Sequence, residues 1–105
     1  MLLKAISTRG VENDVRGVLR QSLAEASGGF AAGRFPDREA AGELIYQIDA
    51  GKEHFSRTDL DLLVRSLEFS LKELGEEEFQ TITGHDFSFG VSTLAELKNV
   101  AKEQG

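Results

Sequence analysis

Residues 55–75, with the sequence FSRTDLDLLVRSLEFSLKELG, decide the fold of this chain. Ser56 followed three residues later by Asp59 approximates a capping box, with Asp in place of the usual Glu or Gln. Phe55 and Leu60 stand at the two positions of a hydrophobic staple, and the closing glycine is a strong stop signal. The stretch therefore predicts one long helix with a defined beginning and a defined end.

The apolar residues of this helix lie on two opposite faces. At about 100° per residue, most of its apolar side chains fall within an arc of about 100°, which is the width of an ordinary core stripe. These are Leu60, Leu63, Val64, Leu67, Leu71 and Leu74. Leu62 and Phe69 project from the other side. A helix of this kind either lies at the centre of a domain or presents its second face to a partner.

Helical spacing of apolar residues recurs along most of the chain. It predicts helices at about 10–26, 36–50, 57–74, 76–83 and 88–103. Pro36 suits the first turn of the second helix. For the last helix, Thr93 and Glu96 form a second capping-box match, so its start could instead fall at residue 93.

We therefore expect an all-α fold, an irregular bundle of four to five helices. The length of 105 residues is ordinary for one domain, so residues 1–105 are expected to form a single helical domain. The alternative is an α+β fold with a short strand pair formed by residues 2–6 and 30–35, although neither segment alternates well.

Composition excludes several function classes. The chain has no cysteine, which removes disulfides, thiolate nucleophiles and Cys-based zinc sites. No stretch approaches the roughly 20 apolar residues that span a bilayer, and the apolar start is too short for a signal peptide. We expect a cytoplasmic protein that does not insert into membranes. The net charge is −6, mostly from residues 52–105, and disfavours binding to nucleic acid.

The candidate chemical sites are weak. The glycine-rich segment 28–35 has the glycine separation of a phosphate-binding loop, but arginine and phenylalanine replace the required lysine and hydroxyl residue. His54 and His85 do not show metal-ligand spacing. His85-Asp86 with a nearby serine, Ser88 or Ser92, is too common a combination to identify a catalytic site. We expect no enzyme activity, cofactor or metal; a small enzyme with a site near His54 or His85 is the third hypothesis.

Two binding alternatives use charged residues. A helix-turn-helix could be built from the 76–83 helix, the turn at 84–88 and the last helix, but three glutamates open its supporting helix. Its reading face would consist of Ser92, Thr93, Lys98, Asn99 and Lys102. Acidic residues of the second half could instead imitate a nucleic-acid backbone, although an acidic solvated surface explains them as well.

The leading hypothesis is a non-enzymatic protein that acts by contact with a protein partner or with a second copy of itself. Leu62 and Phe69 on one helix, and Phe87 and Phe89 at the start of another, are more aromatic and aliphatic surface than a minimal bundle needs. Aromatic residues are enriched at interface centres. These four residues are therefore the candidate interface, and simple core packing is the equal alternative.

The stretch Thr58–Lys98 resembles small uncharacterised helical proteins of phages and other mobile elements. The resemblance rests on three features in a fixed order. These are a leucine-rich helix ending Leu74-Gly75, the segments Glu76-Glu77-Glu78-Phe79 and Thr83-Gly84, and a helix with Leu94 and Leu97. It implies an accessory protein that acts by contact, and it assigns no target and no functional residue.

Overall fold

The computed structural model describes residues 12–29, 32–52 and 55–104. These residues form four α-helices and one 3₁₀ turn, and no strand. The elements are α1 (Glu12–Gly28), the 3₁₀ turn (Ala32–Arg34), α2 (Arg38–Asp49), α3 (Arg57–Thr83) and α4 (Phe87–Gln104). The predicted all-α fold is confirmed. Of the two strand candidates, residues 2–6 lie outside the described part, and the second is helical at 32–34.

The start of α3 is the one that the sequence predicts. Ser56 has extended backbone geometry, and its hydroxyl accepts a hydrogen bond from the Asp59 N–H at 3.1 Å. The Asp59 carboxylate accepts from the Ser56 N–H at 3.1 Å, which completes the capping box. Phe55 and Leu60 are both buried, as a hydrophobic staple requires. Each half of the box provides an acceptor for a backbone N–H, and that of Asp59 belongs to the first turn, where no intrahelical acceptor exists.

Gly75 interrupts α3 at the predicted position. Its backbone angles, φ 73° and ψ −178°, lie in a region that only glycine adopts readily. The element consists of two helical segments joined by a kink, and they correspond to the two helices predicted at 57–74 and 76–83. Gly84, in the left-handed conformation, then ends the second segment with a 2.9 Å bond from its N–H to the Gln80 carbonyl.

Helix α2 begins later than predicted. Pro36 precedes the helix instead of lying in its first turn, and the first helical bond runs from the Ala41 N–H to the Asp37 carbonyl. Asp37 does not cap with its side chain because its carboxylate pairs with Arg65 of α3. This ion pair joins residues 28 positions apart. A tertiary contact therefore replaces the local one that the sequence suggests.

Helix α4 begins at Phe87, which rules out the alternative start at residue 93. Thr93 lies inside the helix, is 2% exposed and donates its hydroxyl to the Phe89 carbonyl at 2.8 Å. A threonine bonded to the preceding turn in this way cannot act as an N-cap.

Helix α3 lies between its neighbours, which explains its two apolar faces. It packs against α1, α2 and α4. Leu60, Leu63 and Leu67 of the main stripe are fully buried, and Leu62 on the opposite side retains only 6% exposure. One hydrophobic core extends from Val18 of α1 to Leu97 of α4. The second apolar face is thus largely covered by the protein itself.

Helices α1 and α3 approach closely at small residues. Ser22 of α1 and Ser66 and Ser70 of α3 are all buried, and the Ser70 hydroxyl donates to the Ser22 carbonyl at 3.2 Å. On the other side of α3, Gly90 of α4 lies against the ring of Phe79. No helix in the described part of the chain is long and apolar enough to cross a membrane.

Candidate functional site: an acidic groove beside α3

The described structure contains an open groove of about 760 Å³. It lies between α1, the 3₁₀ turn and the second half of α3. Its described lining residues are Glu25, Gly33, Arg34, Phe69, Ser70, Glu73, Leu74 and Glu78. We call it the α1–α3 groove. Its volume is within the range of about 300–1,000 Å³ that is typical of ligand sites.

The apolar side chains of the described lining, which we call the floor, include an aromatic ring that packs against the core. Phe69 and Leu74 contribute its apolar side chains, and both are partly buried against the core. The Phe69 ring meets the buried Phe35 ring edge-on, with centroids 5.3 Å apart and planes at 72°. The Arg65 guanidinium lies 5.9 Å from the Phe35 ring centroid. The contact with Phe35 therefore holds the Phe69 ring in place, as a preformed contact surface requires.

Arg65 supports this packing from a well-anchored position. Its guanidinium pairs with Asp37, the residue directly before α2, and, at 2.9 Å, with Asp61 one turn earlier on α3. The hydrogen bond to Asp37 is the main cause that raises the pKa of Arg65 above its ordinary value, with a further contribution from Asp61. The arginine thus connects the aromatic pair to two helices.

The charged side chains of the described lining, which we call the rim, are three carboxylates and one guanidinium. Glu25 lies on α1, whereas Glu73 and Glu78 lie on either side of the kink in α3. Arg34 of the 3₁₀ turn pairs with Glu73, with Nη1 and Oε2 3.5 Å apart. The Arg34 side chain is 76% exposed and that of Glu73 25%. A long, exposed ion pair of this kind is weak, on the order of 1 kcal/mol or less.

The structure separates the four residues of the predicted interface. Leu62 belongs to the core, and Phe69 forms the groove floor. Phe87 packs edge-on against the buried Phe79 ring at 5.9 Å, and the Phe89 ring lies 5.0 Å from that of His85. Each of the three phenylalanines is partly buried. Of the four, only Phe69 lines the α1–α3 groove.

The candidate chemical sites gain no support from the geometry. His54 lies outside the described residues. The His85 ring rests on Phe89, and its backbone is held by the Thr83 hydroxyl. The glycine-rich segment follows helix α1, whereas a phosphate-binding loop follows a strand. The described residues contain no group of three or more side chains that could hold a metal ion.

The helix-turn-helix hypothesis meets two obstacles. Of its predicted reading face, Thr93 is buried and Lys98 pairs with Glu68 at 3.1 Å. The N-terminus of α4, where a recognition helix meets DNA, borders a second hollow of about 280 Å³ with an acidic lining. That lining includes Glu76, Glu77 and Asp86. Phosphates would be repelled by these carboxylates.

The sequence missed most residues of the groove. It placed Leu74 in the core stripe and interpreted the acidic residues of the second half, which include Glu73 and Glu78, as a solvated surface. The arginine that argued against a phosphate-binding loop in segment 28–35 is Arg34. The pairing of Arg34 with Glu73 joins residues 39 positions apart, so no local spacing signals it. Phe69 alone carried a signal, because it lies opposite the main apolar stripe.

Comparisons with known proteins add no family to this description. No protein-family model matches the chain. No curated protein and no solved structure shows a significant similarity to it. The groove must therefore be interpreted from its own chemistry.

Proposed function

We propose that this protein is a non-enzymatic accessory protein that acts by binding a segment of a partner protein. The observation that carries the proposal is the α1–α3 groove, an open surface with a fixed apolar floor and a charged rim. Open grooves of this composition suit helices or extended segments, which place apolar side chains on the floor and polar ones at the rim.

The groups in the groove favour binding over reaction. The one described hydroxyl, that of Ser70, is already committed to the Ser22 carbonyl. The remaining polar groups of the described lining are three carboxylates and the Arg34 guanidinium, whose charges can hold a ligand of complementary charge. Phe69 and Leu74 supply the apolar contact from which a binding site obtains most of its affinity.

A selection experiment tests the proposal without assuming a partner. The immobilised full chain is used to select binders from a displayed library of random peptides. The selected peptides are then measured against two variants, Gly33→Trp and Gly17→Trp. A side chain at Gly33 enters open space beside the groove, and one at Gly17 enters open space on the exposed side of α1. Both variants should fold as the wild type does, as judged by circular dichroism.

We expect the selected peptides to lose at least tenfold in affinity with Gly33→Trp and to bind Gly17→Trp normally. A failure to select any peptide, or peptides that bind both variants equally, would contradict a binding role for the groove.

Self-association is the second part of the proposal, with a second copy as one partner. The large apolar side chains that are exposed in the described structure are Tyr46 (78%) and Val91 (47%), on α2 and α4. Each is a single exposed side chain on a different helix, so we take the groove as the candidate surface for contact with a second copy. Sedimentation velocity over a range of concentrations tests this part. A dimer that Gly33→Trp dissociates would support it, and a monomer at all concentrations would remove it.

A further inference from the structure

The charge of the α1–α3 groove indicates the chemistry of its partner. Among the described residues, its rim has three carboxylates, those of Glu25, Glu73 and Glu78, against the Arg34 guanidinium. We propose that the groove binds a cationic amphipathic segment of a partner protein, and that Arg34 occupies Glu73 until a cationic side chain of that segment displaces it. This inference rests on the proposed function, because it names the partner of the same groove.

The two parts of the groove complement the two faces of such a segment. Phe69 and Leu74 lie on the floor, where apolar side chains of the partner would be shielded from water. The three glutamates line the same groove, where they could pair with lysine or arginine side chains that extend past an apolar contact. An acidic segment would place like charges together, which opposes binding.

The spacing of the two floor residues fits a short helix. Phe69 and Leu74 lie on the segment of α3 before the kink, five residues apart, or on the order of 7.5 Å at a rise of about 1.5 Å per residue. That distance is about one and a half turns of a partner helix. Apolar side chains on adjacent turns of the partner could contact Phe69 and Leu74 together.

In our proposal, the Arg34 guanidinium holds the position beside Glu73 that a cationic side chain of the partner would take. Arg34 is the cationic residue of the described rim, and its bond to Glu73 is 3.5 Å long and largely exposed. Because such a pair is weak, an incoming cation can replace it at little cost. Removal of the Arg34 charge should therefore increase the affinity for a cationic ligand, whereas removal of a rim carboxylate should decrease it.

Titration calorimetry of the full chain with designed peptides tests the inference. One helical peptide carries leucines on one face and lysines on the other, and its matched counterpart carries glutamates in place of the lysines. The variants are Arg34→Gln, Glu73→Gln and Glu78→Gln. Arg38→Gln and Glu43→Gln are the controls, since they remove one charge of each sign from exposed positions on α2 outside the described lining.

We expect the lysine peptide to bind and the glutamate peptide not to bind. Arg34→Gln should raise the affinity for the lysine peptide about two- to fivefold, and each glutamate variant should lower it by a similar factor. The control variants should leave the affinity within twofold of the wild type, and added salt should weaken binding.

Three results would overturn the inference. The first is equal binding of the two peptides. The second is an unchanged or lower affinity after Arg34→Gln. The third is a dimer dissociated by Gly33→Trp, which would make a second copy the occupant. If random selection yields groove-dependent peptides that are neutral or acidic, the proposed function stands and this inference fails; if it yields none, the proposed function itself fails.

Discussion

Gly90 of α4 lies directly against the ring of Phe79 of α3. A Cβ atom at position 90 would be 2.5 Å from Cζ of Phe79 and 2.9 Å from Cδ2 of Leu71. Phe79 is fully buried and also packs edge-on against Phe87, so a shift of its ring would disturb the core around it. The contact between α3 and α4 therefore depends on the absence of a side chain at position 90.

Gly90→Ala should destabilise the protein by about 1–3 kcal/mol, the usual cost of adding a methyl group to a packed core. Chemical denaturation monitored by circular dichroism measures the change. Gly17→Ala is the matched control, because Gly17 is an exposed residue of α1 and a Cβ there would meet no atom within 4 Å. That substitution should stabilise the protein by about 0.5–1 kcal/mol. Equal effects of the two substitutions would be incompatible with the Gly90–Phe79 contact.

Gly75→Ala should destabilise the protein because the kink in α3 requires glycine. The backbone angles at Gly75 cost a residue with a Cβ on the order of 1–3 kcal/mol. Gly84→Asn is the comparison, since asparagine tolerates the left-handed conformation found at Gly84 and should cost less than about 1 kcal/mol. Thermal denaturation of the two variants should give the larger decrease in Tm for Gly75→Ala. If Gly75→Ala had no effect, α3 would not be kinked there.

Two buried serines one turn apart on α3 should respond in opposite directions. The Ser66 hydroxyl has no hydrogen-bond partner in the described structure, whereas that of Ser70 donates to the Ser22 carbonyl. Ser66→Ala removes an unpaired buried polar group and should stabilise the protein by roughly 1 kcal/mol. Ser70→Ala removes a bond and leaves the Ser22 carbonyl without it, at a cost of about 1 kcal/mol. The denaturation midpoints of the two variants measure these changes. A loss of stability in Ser66→Ala would contradict an unpaired Ser66 hydroxyl.

The Asp59 carboxylate of the capping box should make the free energy of unfolding depend on pH. Burial tends to raise the pKa of Asp59, but hydrogen bonds from Lys52 and from the Ser56 backbone outweigh it, and the net shift is downward. The folded state therefore binds this proton less readily than the unfolded chain does. The stabilising contribution is present above the ordinary carboxyl pKa of about 4 and is lost as the pH falls through the lower folded value.

Urea denaturation between about pH 6 and pH 2 measures this dependence, and the carboxyl pKa near 4 marks the start of the expected loss. Asp59→Asn should reduce the loss of stability on acidification and be less stable than the wild type at neutral pH. If the wild type instead became more stable as the pH fell below 4, the pH dependence would be opposite to the one expected from Asp59.

The local features of the fold were predictable from sequence, and the long-range ones were not. Ser56, Asp59 and Gly75 act on backbone within four residues, so their spacing indicates their structural roles. Pro36 misled the prediction because Asp37 pairs with Arg65, a residue 28 positions away. Leu62 was identified as unusual by its position opposite the main stripe, but only the packing of α3 among three helices shows that it is buried.

The groove was harder to predict for the same reason. Its rim brings together residues of α1, the 3₁₀ turn and both segments of α3. Glutamates at 73 and 78 have the same appearance in sequence as any solvated acid. Their importance arises from Phe69 and Leu74 beside them and from Arg34 opposite, an arrangement that depends on how α1 and α3 pack.

A double-mutant cycle measures whether Arg34 and a cationic partner compete for Glu73, as we propose. Calorimetry gives the affinity of the lysine peptide for the wild type, Arg34→Gln, Glu73→Gln and the double variant. We expect Arg34→Gln to increase affinity in the wild-type background and to have a smaller effect, by at least half in free energy, once Glu73 is replaced. An equal gain in affinity in both backgrounds, or a loss of affinity in either, would mean that Arg34 does not compete with the peptide for Glu73.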